Sequence, residues 1–168
     1  MALRIAAIKA KDLGFLRRVR NDPRINEFLF SNANISKREQ RDWYKRYLKD
    51  DSTLIFVARD AVPVGYCQIT NIDHKNHSCE LGFCIAPEFQ GKGYGKALVI
   101  KTRKYAKSKL RMHRLYVEIL ADNFRALRLY RECGFNFEGY LRHKVFKDGR
   151  YRDVIMMSQI NQVRSKPA

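Results

Sequence analysis

The sequence predicts an α/β (α+β) fold in which strands and helices share one domain. Runs of β-branched and aromatic residues, typical of strands, alternate with helical segments in the order β-α-α-β-β-β-α-β-α-β-β. A glycine-rich run separates a strand from a helix in mid-chain, and an Asp-Gly turn separates the last two strands. Because 168 residues suit one core of ordinary size and no repeat is present, we expect a single domain over residues 1–168.

The first third of the chain is predicted to hold one strand and two helices. The strand spans residues 3–9, and the first helix spans residues 12–20. One side of that helix is apolar and holds Leu13, Leu16 and Val19. The segment Ser36-Lys37-Arg38-Glu39 is a capping box that opens the second helix. The apolar side of the second helix holds Trp43, Tyr44, Tyr47 and Leu48.

Six strands and two helices are predicted in the rest of the chain. The strands are residues 53–58, 63–71, 79–86, 115–120, 137–146 and 151–160. A turn around Asp60 and Ala61 joins the first two of them. The last two form a hairpin about Lys147-Asp148-Gly149-Arg150, since Asp-Gly favours a tight turn. One helix follows the glycine-rich run, and the other spans residues 123–133.

The glycine-rich run is Gln90-Gly91-Lys92-Gly93-Tyr94-Gly95. Its glycines let the backbone approach a ligand and turn N–H groups inward, and the helix that follows adds unpaired N–H groups and a positive dipole end. The run is therefore typical of a pyrophosphate cradle. It differs from a P-loop because Lys92 precedes the last two glycines, and from a dinucleotide turn because residues 111–115 contain no acid. A plain turn before a surface helix is the alternative.

A second motif follows the strand at residues 115–120. The pattern Asn-x-x-Ala-x-x-x-Tyr-x-x-x-Gly-Phe is complete at Asn123, Ala126, Tyr130, Gly134 and Phe135. Asn is a good N-cap and Gly a good helix end, so the motif also predicts the bounds of a helix. Together with the order Gln-x-x-Gly-x-Gly, this pattern resembles the GNAT acetyltransferase superfamily over nearly the whole chain. The resemblance implies a mixed, mostly antiparallel central sheet that is splayed at an acetyl-CoA site.

The same resemblance implies that the chain is an N-acetyltransferase that uses acetyl-CoA and no metal, and that moves the acetyl group to a primary amine by direct attack in a ternary complex. Tyr130 is the implied acid for the leaving thiolate. Backbone N–H groups near Ile85 are expected to bind the pantetheine arm and polarise the thioester carbonyl, and Asn123 to contact that arm or hold the strands apart. The implied cofactor-binding residues are Phe83, Cys84, Ile85, Gln90, Gly91, Lys92, Gly93, Tyr94, Gly95, Lys96, Asn123, Ala126 and Tyr130. Gln90 stands where many relatives carry Arg, and Lys92 and Lys96 are placed to compensate for the lost charge.

A general base must take a proton from the attacking amine. Glu80 is the first candidate, because many relatives place a carboxylate facing the acceptor at this point of the strand. Glu118, an acid inside an apolar strand, is the rival. Burial of a carboxylate raises its pKa, which suits a base. A salt bridge at the strand edge is the alternative for both. Asp73, His74, His77 and Cys79 hint at a metal, but a polar hairpin turn is the favoured interpretation.

The sequence resembles two groups of GNAT enzymes that differ in their acceptor. The segment Arg20-Asn21-Asp22-Pro23-Arg24 and the aromatic pair Trp43-Tyr44 resemble acetyltransferases of a UDP-linked 4-amino-4,6-dideoxy sugar in pseudaminic acid synthesis. Spermidine and ribosomal-protein N-terminal acetyltransferases form the other group. Residues 17–46 hold nine Lys or Arg against four acids. That charge favours an anionic sugar nucleotide, with Arg20, Arg24 or Arg41 as diphosphate partners, over a polyamine.

Overall charge and cysteine usage suggest partners and location. The formal net charge is +17, and nine Lys or Arg with no acid lie between Gly91 and Arg114. This excess suits the phosphates of coenzyme A and also leaves open a nucleic-acid partner, so a non-catalytic basic adaptor that binds acetyl-CoA is the alternative function class. We expect no membrane span and no signal peptide, and a cytoplasmic location, because the four scattered cysteines are typical of reduced core residues. A homodimer through the last hairpin, as in many relatives, is a further expectation.

Overall fold

The computed structural model describes residues 2–31 and 34–161. Its centre is a seven-stranded sheet in the order β1-β2-β3-β4-β5-β7-β6. The strands are β1 (Arg4–Ala7), β2 (Leu54–Asp60), β3 (Val62–Asp73), β4 (Ser78–Ile85), β5 (Arg114–Leu120), β6 (Asn136–Lys147) and β7 (Arg150–Ile160). The helices are α1 (Leu13–Asn21), α2 (Pro23–Asn26), α3 (Lys37–Tyr47), α4 (Tyr94–Ser108) and α5 (Phe124–Glu132). The α/β class predicted from the sequence is confirmed, and the element order is the predicted one except for the additional short helix α2.

The sheet is mixed and mostly antiparallel, with one parallel pair, β4 and β5. That pair is short. Only Ser78, Cys79 and Glu80 are matched with residues of β5, at Arg114, Leu115 and Tyr116. Beyond these positions the two strands separate, so the sheet is splayed in its middle, as the resemblance implied.

The two faces of the sheet carry separate cores. On one face α4 and α5 cover a core that includes Leu81, Leu98 and Leu115. On the other face α1 and α3 cover a core that includes Val19 and Val57. Strand β4 contributes to both cores by alternation, with Cys79 and Leu81 in the first and Cys84 and Ala86 in the second.

The N-terminal third differs from expectation in two details. The first strand is shorter, ending at Ala7, because a 3₁₀ turn over Ala10–Asp12 precedes α1. The segment Asn21-Asp22-Pro23 opens a second short helix rather than simply ending the first. The Asp22 carboxylate accepts a hydrogen bond from the Arg24 N–H at 3.0 Å, and Pro23 takes the first helical position, where its missing N–H costs nothing.

Helix α3 begins with the predicted capping box. Glu39 N–H donates to Ser36 Oγ at 3.2 Å, and Ser36 N–H donates to the Glu39 carboxylate at 2.8 Å. Trp43, Tyr44 and Tyr47 pack on the second core. Leu48 was expected on the same apolar side but is 65% exposed, because the helix ends at Tyr47 and Leu48 caps it.

The C-terminal hairpin has the predicted turn, with Asp148 at φ 50° and Gly149 at φ 76°. Strand β6 lies at the sheet edge, and its pairing with β7 is interrupted. Leu141 pairs with Val154, and Val145 pairs with Arg152, so β6 has two more residues than β7 in this interval. Residues 142–144 therefore form a bulge, which we call the β6 bulge.

All four cysteines are free and buried. Burial raises the pKa of Cys67 and of Cys79 to about 12, so both are neutral thiols at neutral pH. None of the helices in the described part of the chain combines the length and the apolar character that a membrane span requires.

Candidate active site

The candidate site is a cavity of about 280 Å³ where β4 and β5 separate. Its walls come from β3, β4 and β5, from the segment after α2, and from the start of α5. Six residues that the sequence proposed for the site line it: Glu80, Phe83, Cys84, Asn123, Ala126 and Tyr130. The rival base Glu118 and the cation Arg20 also line it. Phe28, Phe30, Tyr66 and Gln68 complete the wall without having been singled out from the sequence.

The glycine-rich segment lies outside this cavity, between the end of β4 and the start of α4. Gly91 and Gly93 have φ values of 76° and 82°, the left-handed conformation that glycine adopts without strain. Gly93 is the N-cap of the 15-residue helix α4, so the unpaired N–H groups of the first turn face the loop. A Cβ on Gly95 would lie 3.3 Å from Leu129 Cδ2, so glycine here lets α4 pack closely on α5. This geometry fits a pyrophosphate cradle.

Side chains of the loop make contacts within the protein. Gln90 Nε2 donates to the Ile85 carbonyl at 3.0 Å, and Gln90 Oε1 accepts from Arg125 Nη1 at 2.5 Å. Lys92 Nζ donates to the Glu88 carbonyl at 3.0 Å, and the Tyr94 hydroxyl donates to Asp60 Oδ2 at 2.9 Å. Lys96 is exposed. The guanidinium of Arg125 thus brings a positive charge to the loop, where Gln90 replaces the arginine of many relatives.

The edge of β4 that faces β5 carries free backbone donors. Ala86 N–H donates to the Val64 carbonyl at 2.9 Å, which makes these two residues a hydrogen-bonded pair of the β3–β4 ladder. Bonded and non-bonded pairs alternate in such a ladder, so the N–H groups of Phe83 and Ile85 point away from β3 into the opening. An extended ligand arm that carries amide groups would accept hydrogen bonds from these N–H groups, as a strand added to the edge of β4 does.

Tyr130 lies on the opposite wall, in α5. Its ring packs between Phe83 and Phe135, with ring centroids 5.8 and 5.5 Å away. Burial raises the pKa of its hydroxyl far above the ordinary value, so the group is protonated at any working pH. No hydrogen-bond partner for this hydroxyl is found among residues 2–31 and 34–161. Tyr130 therefore lines the cavity with a protonated hydroxyl.

Two carboxylates face the cavity from adjacent strands. Glu80 Oε2 accepts a hydrogen bond from Asn71 Nδ2 at 2.8 Å, and Glu118 Oε1 forms an ion pair with Lys144 Nζ at 2.5 Å. Burial raises the pKa of Glu80, and the negative charge of Glu118 raises it further, while the Asn71 hydrogen bond opposes both. Of the two candidates, Glu118 has the salt bridge, and Glu80 has an amide partner and a raised carboxyl pKa.

The deep end of the cavity also contains a cation. Arg20, from α1, lines the wall beside Tyr66 and Cys84. Its Nε is buried and has no hydrogen-bond partner among the described residues. Burial raises the pKa of the Cys84 thiol, whose side chain points to the α1 side of the sheet.

Two buried cations of the C-terminal hairpin hold the wall that follows α2. Lys147 is 2% exposed, and its Nζ donates to the Leu29 carbonyl at 2.7 Å and to the Asn26 carbonyl. Arg152 donates to the Glu27 carbonyl at 3.0 Å and is paired with Asp122. These contacts fix the start of the segment at residues 28–31 that lines the cavity.

The polar group around His74 forms a turn. Both oxygens of Asp73 accept hydrogen bonds from Lys75 N–H and from Asn76, at 2.6 to 2.9 Å, and Cys79 is buried in the first core. Over residues 2–31 and 34–161, no group of three or more His, Cys, Asp or Glu side chains is arranged to hold a metal ion.

Comparison with known proteins places this geometry in a family. Residues 2–136 match the model of an acetyltransferase (GNAT) domain. The chain belongs to the GNAT acetyltransferase family. It is 32% identical over 157 residues to spermidine N(1)-acetyltransferase of Vibrio cholerae, covering 92% of this chain and 91% of that protein. The crystal structure of the Vibrio cholerae enzyme with CoA and spermine superposes with a TM-score of 0.90, over 94% of this chain and 95% of that one.

Acetyltransferase PseH of Campylobacter jejuni is 30% identical over 129 residues, covering 76% of this chain and 79% of that protein. Both groups named by the resemblance are therefore among the relatives. As a GNAT enzyme the chain uses acetyl-CoA and transfers its acetyl group to an amine, so the adaptor alternative is set aside.

Three residues near the GNAT site were not assigned a role from the sequence. Arg125 contacts the glycine loop, Lys144 contacts Glu118, and Asn71 contacts Glu80. Only Arg125 had a signal in the sequence, because it lies between the motif residues Asn123 and Ala126, at the start of a predicted helix. Lys144 lies in a bulge, and a bulge leaves no periodic mark in the sequence.

Proposed function

We propose that this N-acetyltransferase acetylates a primary amine of a polyamine of the spermidine class. The observation that carries the proposal is the pair of carboxylates, Glu80 and Glu118, on the cavity wall. Opposite charge in a partly buried site favours a cationic acceptor, and like charge would exclude it. One relative over 92% of this chain is spermidine N(1)-acetyltransferase of Vibrio cholerae, and the structure of that enzyme with CoA and spermine has the same fold.

Most of the positive charge of the N-terminal segment does not reach the cavity. Arg24 is exposed and paired with Asp22, and Arg18 is exposed and paired with Glu88. Arg41 is exposed and lines a different groove, formed by α1 and α3. Of the three suggested diphosphate partners, Arg20 lines the cavity, and Arg24 and Arg41 do not. The basic surplus that favoured a sugar nucleotide is therefore mostly a surface property.

The residues of the site support direct transfer from acetyl-CoA, which supplies an activated acyl group as a thioester. Glu80 accepts the proton of the acceptor ammonium, which leaves a neutral amine to attack the carbonyl carbon. The N–H groups of Phe83 and Ile85 stabilise the negative charge that develops on the carbonyl oxygen. As the C–S bond breaks, Tyr130 gives its proton to the departing thiolate, and the tyrosinate takes the second proton that the attacking nitrogen loses as the amide forms. The loop, with Arg125, Lys92 and Lys96, holds the phosphates.

An amino-sugar nucleotide is the second candidate acceptor. Arg20 has a buried Nε without a partner, and an anionic ligand group in the cavity would satisfy it. The similarity to Acetyltransferase PseH points the same way. A ribosomal-protein N-terminus is the third candidate acceptor. A putative ribosomal N-acetyltransferase of Bacillus subtilis is 25% identical over 86% of this chain.

The test is a thiol-release assay with acetyl-CoA and a panel of acceptors: spermidine, spermine, a UDP-linked 4-amino-4,6-dideoxy sugar and an N-terminal ribosomal-protein peptide. We expect turnover on the polyamines. Tyr130→Phe should lower kcat by about 10² to 10⁴-fold with little change in the KM for acetyl-CoA, because only proton donation is lost. Tyr105→Phe, which alters a tyrosine packed on Phe56 in the core, is the matched control and should keep full activity. Turnover confined to the sugar nucleotide would replace the polyamine by the second candidate.

We further propose that residues 1–168 act as one unit in the cytoplasm, which the continuous seven-stranded sheet and the four free thiols support. A homodimer through β6 and β7 is also proposed, because Phe137, Phe146 and Tyr151 are exposed on this edge of the sheet. Sedimentation of wild type and Phe146→Lys would test it.

A further inference from the structure

Lys144 reaches the acceptor side of the cavity from the β6 bulge. The bulge has a fixed shape, because His143 N–H donates to Asp153 Oδ1 at 2.7 Å and the Tyr140 hydroxyl donates to Asp153 Oδ2 at 2.8 Å. The His143 ring stacks on Tyr151, with centroids 5.6 Å apart. His143 has φ 53°, a left-handed turn that changes the direction of the chain just before Lys144.

The ammonium of Lys144 lies against the carboxylates of the site. Its Nζ is 2.5 Å from Glu118 Oε1, and its positive charge also acts on Glu80. The two partners differ in freedom. The Glu118 side chain is 13% exposed and stands on a central strand, whereas the Lys144 side chain is 38% exposed and stands on an edge bulge. Lys144 can therefore move from Glu118 into solvent when another cation takes its place on the carboxylate, whereas Glu118 cannot follow it.

We infer that Lys144 is a specificity-determining residue of the acceptor site, where its ammonium occupies the position that a second ammonium of the acceptor takes on Glu118. The inference rests on the proposed function, since it requires an acceptor with at least two amines. One acceptor amine faces Glu80 and reacts. Another displaces Lys144 from Glu118, and the lysine moves into solvent. Lys144 thus competes with the second ammonium of the acceptor for Glu118. This competition sets how much that ammonium adds to acceptor binding.

This arrangement predicts that removal of the Lys144 ammonium lowers the KM for the acceptor. Lys144→Met frees Glu118 for the acceptor, and we expect the KM for spermidine to fall about tenfold, with the KM for acetyl-CoA unchanged. For n-butylamine, a monoamine, the KM should change by less than about twofold, because no second ammonium can use Glu118. Lys144→Arg keeps the charge and should return the spermidine KM toward the wild-type value.

Arg142→Met is the matched control. Arg142 is exposed, lies in the same bulge and carries the same charge, yet it does not contact Glu118. Its loss should leave both KM values within about twofold of wild type. In the double variant Lys144→Met with Glu118→Gln, the fall in the spermidine KM should disappear, because the carboxylate for which the two ammonium groups compete is gone. Melting temperatures of all variants show that each is folded.

The outcomes separate the two proposals. Wild-type turnover on spermidine, with a KM that Lys144→Met leaves unchanged or raises, overturns the role of Lys144 and keeps the polyamine acceptor. Absence of wild-type turnover on spermidine, with turnover on an anionic acceptor, overturns both. In that case Lys144→Met should raise the KM of the anionic acceptor, because an attractive charge has been removed.

Discussion

Glu80 and Glu118 are two carboxylates of one sheet face that have different chemical surroundings. Glu80 has a neutral partner, the Asn71 amide, and Glu118 has a cationic partner, the Lys144 ammonium. Burial and the Glu118 charge both raise the pKa of Glu80 above its ordinary value of 4.5. A base must be deprotonated to act, so the activity should rise with pH through that raised pKa.

The pH profile of kcat/KM tests this assignment. We expect an acidic limb in the wild type and a loss of activity in Glu80→Gln. Glu118→Gln removes the like charge, so the pKa of Glu80 should fall and the acidic limb should move to lower pH. A limb that stays in place in Glu118→Gln would mean that Glu80 is not the titrating group. The profile must be measured at saturating acetyl-CoA, so that binding of the thioester does not shape it.

At the scale of elements, the cofactor loop depends on backbone conformation more than on side chains. Gly91 and Gly93 are left-handed, and the first turn of α4 follows at once. The side chains of Gln90, Lys92 and Tyr94 are engaged with neighbouring parts of the protein. The phosphates of acetyl-CoA would therefore meet mainly N–H groups, whose directions are set by the two glycines.

Gly91→Ala tests the loop, and Gly149→Ala is its matched control. Both glycines have φ 76°, and a Cβ on either would meet no atom within 4 Å. Each substitution should lower the free energy of unfolding by about 1 kcal/mol, through backbone strain alone. Only Gly91→Ala should raise the KM for acetyl-CoA, by about tenfold, since misdirected N–H groups lose a charge-assisted hydrogen bond. Equal KM values in the two variants would contradict the cradle.

At the scale of the whole molecule, the N-terminal third and the C-terminal hairpin meet at the cavity. Lys147 binds the Leu29 and Asn26 carbonyls, more than 100 residues away in sequence, and Arg152 binds the Glu27 carbonyl. Glu118 and Lys144 make a second such contact between β5 and the β6 bulge. The acceptor side of the site is thus assembled from three distant segments.

Lys147→Met should act on both stability and acceptor binding. The variant removes the ammonium that donates to the Leu29 and Asn26 carbonyls and leaves an uncharged side chain in its buried place, so the free energy of unfolding should fall by about 2 kcal/mol. Without the Lys147 contacts, residues 28–31 are held less firmly in the cavity wall. The acceptor KM should therefore rise several-fold, and the KM for acetyl-CoA should stay unchanged. Lys101→Met, which removes an exposed lysine from α4, is the control for charge. A loss of stability without the change in acceptor KM would limit Lys147 to a structural role.

The sequence by itself determined the features that depend on short-range patterns. The capping box at Ser36, the Asn123 cap and the Asp148-Gly149 turn involve residues within four positions of each other, and each was found as predicted. The two motifs that indicated a GNAT acetyltransferase are likewise local. The position of Glu80 near Tyr130 followed from the family resemblance rather than from spacing.

The tertiary structure alone decided the charge of the acceptor site. Summed over residues 17–46, the sequence is strongly basic, yet in the folded chain Arg18, Arg24 and Arg41 lie at the surface. The fold also brings together Glu118 and Lys144, which are 26 residues apart in sequence. A sum over a segment ignores which way each side chain points. Electrostatic attraction depends on distance and burial, and only the fold sets these for residues that are far apart in sequence.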